Sequence, residues 1–158
     1  MNRDQLLKKI DTPWAALRAS YAGLSEAQLT QPGVTGDWSV IDILAHVMAW
    51  ENEALLHLPH ILEGQRPPKY SDRYGGIDAF NDLKVRESRA LPPAEVLAHV
   101  EATHGQLLAY LESAPAEQLA TETRFRRRIR LDTYSHYPIH TQAILAWREQ
   151  QGYSSSGT

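Results

Sequence analysis

The sequence predicts an all-α protein, a four-helix bundle with one long crossover between its second and third helices. Three observations carry this. Four stretches repeat apolar residues every three or four positions. No segment sustains strand-like alternation, Arg124 to Leu131 being the one short stretch that could be extended. A turn-rich connection, Gln65 to Leu91, divides the stretches into two pairs.

The first stretch is Leu6/Leu7, Ile10, Trp14, Leu17, Tyr21 and Leu24, with a kink or restart expected at Pro13. The second is Ile43, Val47, Trp50, Ala54, Leu58 and Ile61. Asp37 or Ser39 can cap it, and Gly64 ends it. In the crossover, QRPPKYSDRYGG reads as irregular and IDAFNDLKVRESRA as helical. The third stretch is Leu97, Val100, His104, Leu107/Leu108 and Leu111, introduced by Pro92-Pro93. The fourth starts near Ser135, which would place Pro138 in its first turn, and stops at Gly152. Residues 1–151 thus form the domain, and 152–158 (GYSSSGT) are expected to be a disordered tail. A weak repeat supports paired hairpins. Leu29 of LSEAQL precedes His46 by 17 residues, and Leu119 of APAEQL precedes His136 by the same interval.

Composition narrows the function. The chain has 158 residues, enough for one sizeable core, and no apolar run long enough to span a membrane. MNRDQLLKKI carries charges where a signal peptide needs an apolar core, so a cytoplasmic location is expected. The absence of cysteine excludes disulfides, thiolate ligands and a cysteine nucleophile. Net charge is −3, and five of the sixteen basic residues are the arginines of Arg124 to Arg130. One short basic patch on an acidic chain argues against nucleic-acid binding. It reads as a solvated edge or as an anchor for an anionic small molecule.

Seven histidines remain. His136 and His140, four apart, share one face of a helix and continue into the stripe of Ala143 and Trp147. His46 borders the apolar stripe of the second helix, three after Ile43 and four before Trp50. Inward-facing imidazoles must satisfy their ring nitrogens, by hydrogen bonds or by a metal. Three of them around a divalent ion leave coordination positions open, the catalytic pattern. His104 sits in the third stripe as a hydrogen-bonded core residue, a fourth ligand or a substrate contact. His57, His60 and His99 have no evident partners.

These residues resemble the DinB-like superfamily of four-helix bundles, and within it the ClbS/DfsB-type branch. The N-terminal helix running into LSEAQL, then GDWSVIDILAHVMAWE, then DTYSHYPIHTQAILAW carry the resemblance, while residues 65 to 130 contribute nothing to it. It implies an up-down-down-up bundle, frequent homodimers, and a nickel, zinc or iron ion held by His46, His136 and His140. Pro138 departs from the pattern, and some members of the branch lack the histidine triad.

The leading expectation is therefore a metal-dependent enzyme acting on a small molecule, in detoxification or stress. Either an external low-molecular-weight thiol is activated, as in thiol S-transferases, or water is, as in hydrolases. Glu53 and Tyr137 are the candidate auxiliary catalytic groups, and Trp38, Trp50, His104 and Trp147 the candidate substrate pocket. The alternative is a non-catalytic protein that binds or sequesters a small molecule.

Overall fold

The computed structural model describes residues 1–154, and those residues are all helix and connection apart from one isolated bridge between Thr35 and Trp38. Four long helices form the bundle: α1 (Arg3–Tyr21), α3 (Val40–Leu62), α6 (Pro93–Glu112) and α9 (Tyr137–Gln151). Shorter helices lie between them: α2 (Glu26–Leu29), α4 (Tyr70–Arg73), α5 (Ile77–Arg89), α7 (Ala116–Ala120) and α8 (Arg124–Asp132).

Contacts between named residues set the directions. Arg18 meets Glu101 at 3.0 Å, Trp14 stacks on His104 and Arg3 donates to the Ala114 carbonyl, so α1 and α6 are antiparallel. Glu51 lies beside His104, and Ser39 and Asp42 share a surface cleft with Pro93, so α3 and α6 are parallel. His46 packs on His140 and Glu51 bonds Tyr137, which makes α9 antiparallel to α3. Trp14 meets Tyr137, and Arg148 donates to the carbonyls of Ser20 and Ala22, which makes α9 parallel to α1. The arrangement is up-down-down-up.

Parallel α3 and α6 require a connection that retraces the bundle. The helical half of the crossover does this: α5 runs back along α3, from Asn81 at Trp50 to Arg89 at Asp42. As a result α3 is packed by α5, α6, α8 and α9, and every residue from Val40 to Val47 is buried. A helix enclosed on all sides buries its polar residues with its apolar ones. This is why His46, Glu51, Glu53 and His57 are all buried.

Four local expectations change. α1 runs through Pro13 without a restart, its buried face of Ile10, Trp14 and Leu17 holding it in register across the lost hydrogen bond. The stretch expected to be irregular contains one helical turn, α4. Arg124 to Leu131 is helical rather than extended. Thr123 accepts from the Arg126 N–H at 3.1 Å, and Phe125, Ile129 and Asp132 bury one face at spacings of four and three. Finally, α9 is capped by His136 instead of Ser135, which keeps Pro138 within the first turn. The described chain continues past Gln151 to residue 154. Gly152 adopts the left-handed C-cap conformation (φ 73°), Tyr153 packs on Trp147, and Arg148 donates to the Ser154 carbonyl. The rest of the expected tail lies outside the described residues.

Candidate metal centre

His46 projects from the enclosed second turn of α3, which the Ser39–Asp42 capping box starts. His136 and His140 enter at the start of α9, where a tight turn positions His136: its backbone N–H donates to the Thr133 carbonyl at 2.8 Å. The Nε2 atoms of the three rings converge. His136 Nε2 lies 3.0 Å from that of His46 and 2.9 Å from that of His140. The donor atoms all fall within 4.8 Å of one another, with His46 and His140 buried and His136 partly buried. The repeat's equal intervals thus end on residues that meet, although His46 lies inside its helix and His136 caps its own.

Burial keeps the rings neutral. It pushes His46 and His140 down to about 4, with His140 adding to the effect on His46. It pushes His136 down to about 3, helped by both neighbours. A neutral Nε2 carries one proton or one lone pair, and His136 Nε2 faces two others at hydrogen-bond distance. One protein-only hydrogen bond can satisfy at most part of this triangle. A shared cation would satisfy all three nitrogens. Ligands at the usual 2.0–2.1 Å from zinc stand roughly 3.3 Å apart across a tetrahedral angle, so the two close separations from His136 need open by only a few tenths of an ångström to admit an ion. The residues fit a divalent metal. Nδ1 of His46 and of His136 is buried with no hydrogen-bond partner among the described residues, and the Trp38 ring lies 5.0 Å from that of His46.

A cleft of about 470 Å³ opens beside the histidines. His46 and His136 line it together with Trp50, Tyr70, Asn81 and Arg128, and Ile77, Leu131 and Asp132 complete it. Of the expected pocket residues, only Trp50 lines this cleft. Trp38 touches the histidines from elsewhere. His104 is a core residue, stacked on Trp14 at 3.7 Å with its Nδ1 2.8 Å from Glu51. Trp147 packs in the core against Tyr153.

The two auxiliary candidates also point away. Tyr137 is fully buried and donates to Glu51 Oε2 at 3.0 Å, so its side chain faces the Trp14–His104 stack while its neighbour His136 faces the cleft. Burial and the adjacent Glu51 carboxyl raise the Tyr137 hydroxyl well above its ordinary value, which keeps it neutral. Glu53 accepts from Tyr70 at 3.1 Å and lies 3.6 Å from His57, tying α3 to the crossover.

Sequence reasoning missed Tyr70, Asn81, Arg128 and Asp132. The available signal was the spacing of four between Arg128 and Asp132, which on a helix makes an ion pair. The pair is observed at 2.6 Å. Burial pushes the Asp132 carboxyl up to about 7 against the pull of Arg128.

An antiparallel pair of helix pairs joined by a long crossover, with three convergent histidines between α3 and α9, defines a bundle of the kind that builds metal sites in its interior. The chain belongs to the DinB superfamily, whose family model matches residues 9–147. Among curated proteins it is similar to one from Geobacillus thermodenitrificans (strain NG80-2) named "Putative metal-dependent hydrolase", 28% identical and covering 87% of this chain and 79% of that protein. Among solved structures it shares its fold with the sibling lethal factor precursor DfsB (TM-score 0.81, 16% identity, 98% of this chain and 99% of that one). It also shares it with the colibactin self-resistance protein ClbS, solved in complex with a double-stranded DNA (TM-score 0.79, 17% identity, 94% and 96%). A third is an uncharacterised protein of Escherichia coli UTI89 (TM-score 0.80, 14% identity, 97% and 96%). Identities this low establish the fold alone. No helix of the described residues is long and apolar enough to cross a membrane.

Proposed function

We propose that His46, His136 and His140 hold one divalent ion, nickel, zinc or iron, and that the protein is a metal-dependent enzyme acting on a small molecule in the adjoining cleft. The observation that carries this reading is the convergence of three neutral Nε2 atoms beside a cleft. A divalent ion with three imidazole ligands keeps positions open and supplies Lewis acidity to water, a carbonyl or an external thiol. The chain itself supplies the rest. The α3–α9 packing fixes the three rings, Trp38 shields His46, and Trp50 with Tyr70 presents an aromatic wall to a bound molecule. The curated relative's name supports hydrolysis over thiol transfer. Neither Glu53 nor Tyr137 is assigned a proton-transfer role, since each is engaged elsewhere.

The family resemblance supports a homodimer and a detoxification or stress role, a cytoplasmic location is part of the same proposal, and sedimentation tests the first. DNA binding is left out of this reading. Arg126 and Arg130 share the single Glu122 and Arg128 pairs with Asp132, so α8 keeps only a short basic patch, of the kind that supports weak, salt-sensitive contact with nucleic acid.

Metal analysis of untagged protein, with and without His46→Ala, is the decisive experiment. One equivalent in the wild type and its loss in the variant are expected. Sub-stoichiometric metal in the wild type would remove the enzyme reading, and full occupancy in the variant would remove this ligand set. With metal present, turnover of esters marks a hydrolase and consumption of free thiol with monochlorobimane an S-transferase. Tight aromatic binding without turnover marks the sequestering alternative.

A further inference from the structure

Arg128 stands apart from the other four arginines of its helix. Arg126 and Arg130 pair with Glu122, Arg124 reaches the Gln65 carbonyl, and Arg127 is exposed. The Arg128 side chain is only 13% exposed, and what it exposes lines the cleft with His46 and His136. Two of its three nitrogens are fixed. Nε donates to Asp132 Oδ2 at 2.6 Å, and Nη2 donates to the Tyr70 hydroxyl at 3.0 Å. Nη1 has no partner among the described residues and is not sealed from the cleft. Nε and Nη2 thus each hold one partner, which leaves three donors without a partner among the described residues, both N–H groups of Nη1 and one of Nη2, and these two nitrogens form the end fork of the guanidinium. That fork matches the two oxygens of a carboxylate.

The other polar groups on the wall agree. Trp50 Nε1 donates to Asn81 Oδ1 at 2.8 Å, which leaves the Asn81 amide N–H groups as donors. The Tyr70 hydroxyl accepts from Arg128 and donates to Glu53, so it is already engaged. Asp132 is the one carboxyl on the wall, and its Oδ2 is held by Arg128. The remaining surface is apolar: the Trp50 and Tyr70 rings, with Ile77 and Leu131 half-exposed.

We infer that the cleft takes a small molecule with an aromatic or apolar body and a carboxylate, the carboxylate seated on the end fork of Arg128 within reach of Asn81, and the body against Trp50 and the Ile77–Leu131 edge. This deepens the proposed function and rests on it for charge balance. Three neutral ligands leave the ion's charge uncompensated, so the loaded cleft favours an anion, while Asp132 offsets only Arg128.

Isothermal titration of zinc-loaded and chelator-treated protein with phenylacetate and with neutral phenylacetamide tests this. Loaded wild type should prefer phenylacetate by roughly tenfold, the effect of one charge-assisted hydrogen-bonded contact. Arg128→Met should abolish the preference while zinc content is unchanged and amide affinity stays within about twofold. Arg128 also supports Tyr70 and Asp132, so a second variant guards against loss of the fold. Ile77→Glu, at a residue 55% exposed, places a like charge at the edge and should weaken phenylacetate about threefold more than it weakens the amide, which loses the same apolar contact. Equal affinity for the two probes, or a preference untouched by both substitutions, overturns the inference. Full zinc occupancy without carboxylate preference overturns it alone. Arg128-dependent preference in a protein that binds no zinc overturns the metal reading and leaves this one standing.

Discussion

Acidifying the metal-free protein puts the buried histidines to a direct test. A histidine in the unfolded chain titrates near 6.5, whereas burial holds His46 and His140 at about 4 and His136 at about 3. The folded values are depressed. The stability these groups contribute is therefore complete above 6.5 and is lost as pH falls towards the folded values. Between about pH 7 and about pH 5 the unfolded chain takes up three protons that the folded chain refuses, worth about 2 kcal/mol per histidine and about 5–6 kcal/mol for the three. Asp132 acts in the opposite sense. Its folded value is raised from 3.8 to about 7, so its contribution is present below 3.8 and lost as pH rises through 7. It offsets roughly 2 kcal/mol over the same interval. These four groups together account for a loss of about 3–4 kcal/mol, a large share of the 5–15 kcal/mol typical of a domain. The triple variant His46→Gln, His136→Gln and His140→Gln keeps Asp132 and removes the histidine part. Urea unfolding with chelator, followed by far-UV circular dichroism at both pH values, should show wild type losing about 5 kcal/mol more than the variant. Equal losses would refute the claim that the folded cluster excludes protons.

Further expectations concern the frame around the site. Phe125→Ala empties a fully buried position under α8 and should cost about 3–5 kcal/mol in urea unfolding. Ser39→Ala removes the capping box that starts α3 and should cost about 1 kcal/mol by the same assay. Tyr137→Phe strips a donor from the buried Glu51 carboxyl, an expected loss of about 1–3 kcal/mol, and metal stoichiometry should not change because the hydroxyl faces away from the histidines. Duplex DNA in gel shift should bind no better than the roughly 10⁻⁴–10⁻⁶ M typical of non-specific contacts and should be released by salt.

The long helices were legible because their stripes are uninterrupted. Ile10, Trp14 and Leu17 on α1, or Val100, His104, Leu107 and Leu111 on α6, need no partner to be recognised. The histidine set was legible for a related reason. Two ligands share one turn of chain, and the third sits on a stripe. α8 was not legible, because five arginines hide an apolar face of only Phe125 and Ile129, and Leu131 makes the segment resemble an alternating one although it remains half-exposed. The cleft was hidden for a further reason. Its walls come from α3, the crossover and α8, elements that no periodicity relates, so Tyr70, Asn81 and Arg128 meet only in the folded chain. Aromatic content pointed to Trp38 and Trp147 for the pocket, but a large ring fills a core as readily as it lines a cleft.

His46 and His136 are 90 residues apart in sequence yet their nitrogens nearly touch. An ion shared by them would close a loop containing the whole crossover and α6, acting as a removable cross-link in a chain without cysteine. By the loop-closure relation used for disulfides, such a tie restricts the unfolded ensemble by about 4–5 kcal/mol. Chelation would then loosen one half of the bundle from the other, and in a chain nicked within residues 65–91 the metal would add the one coordinate tie to the packing of α3 on α6 and of α1 on α9.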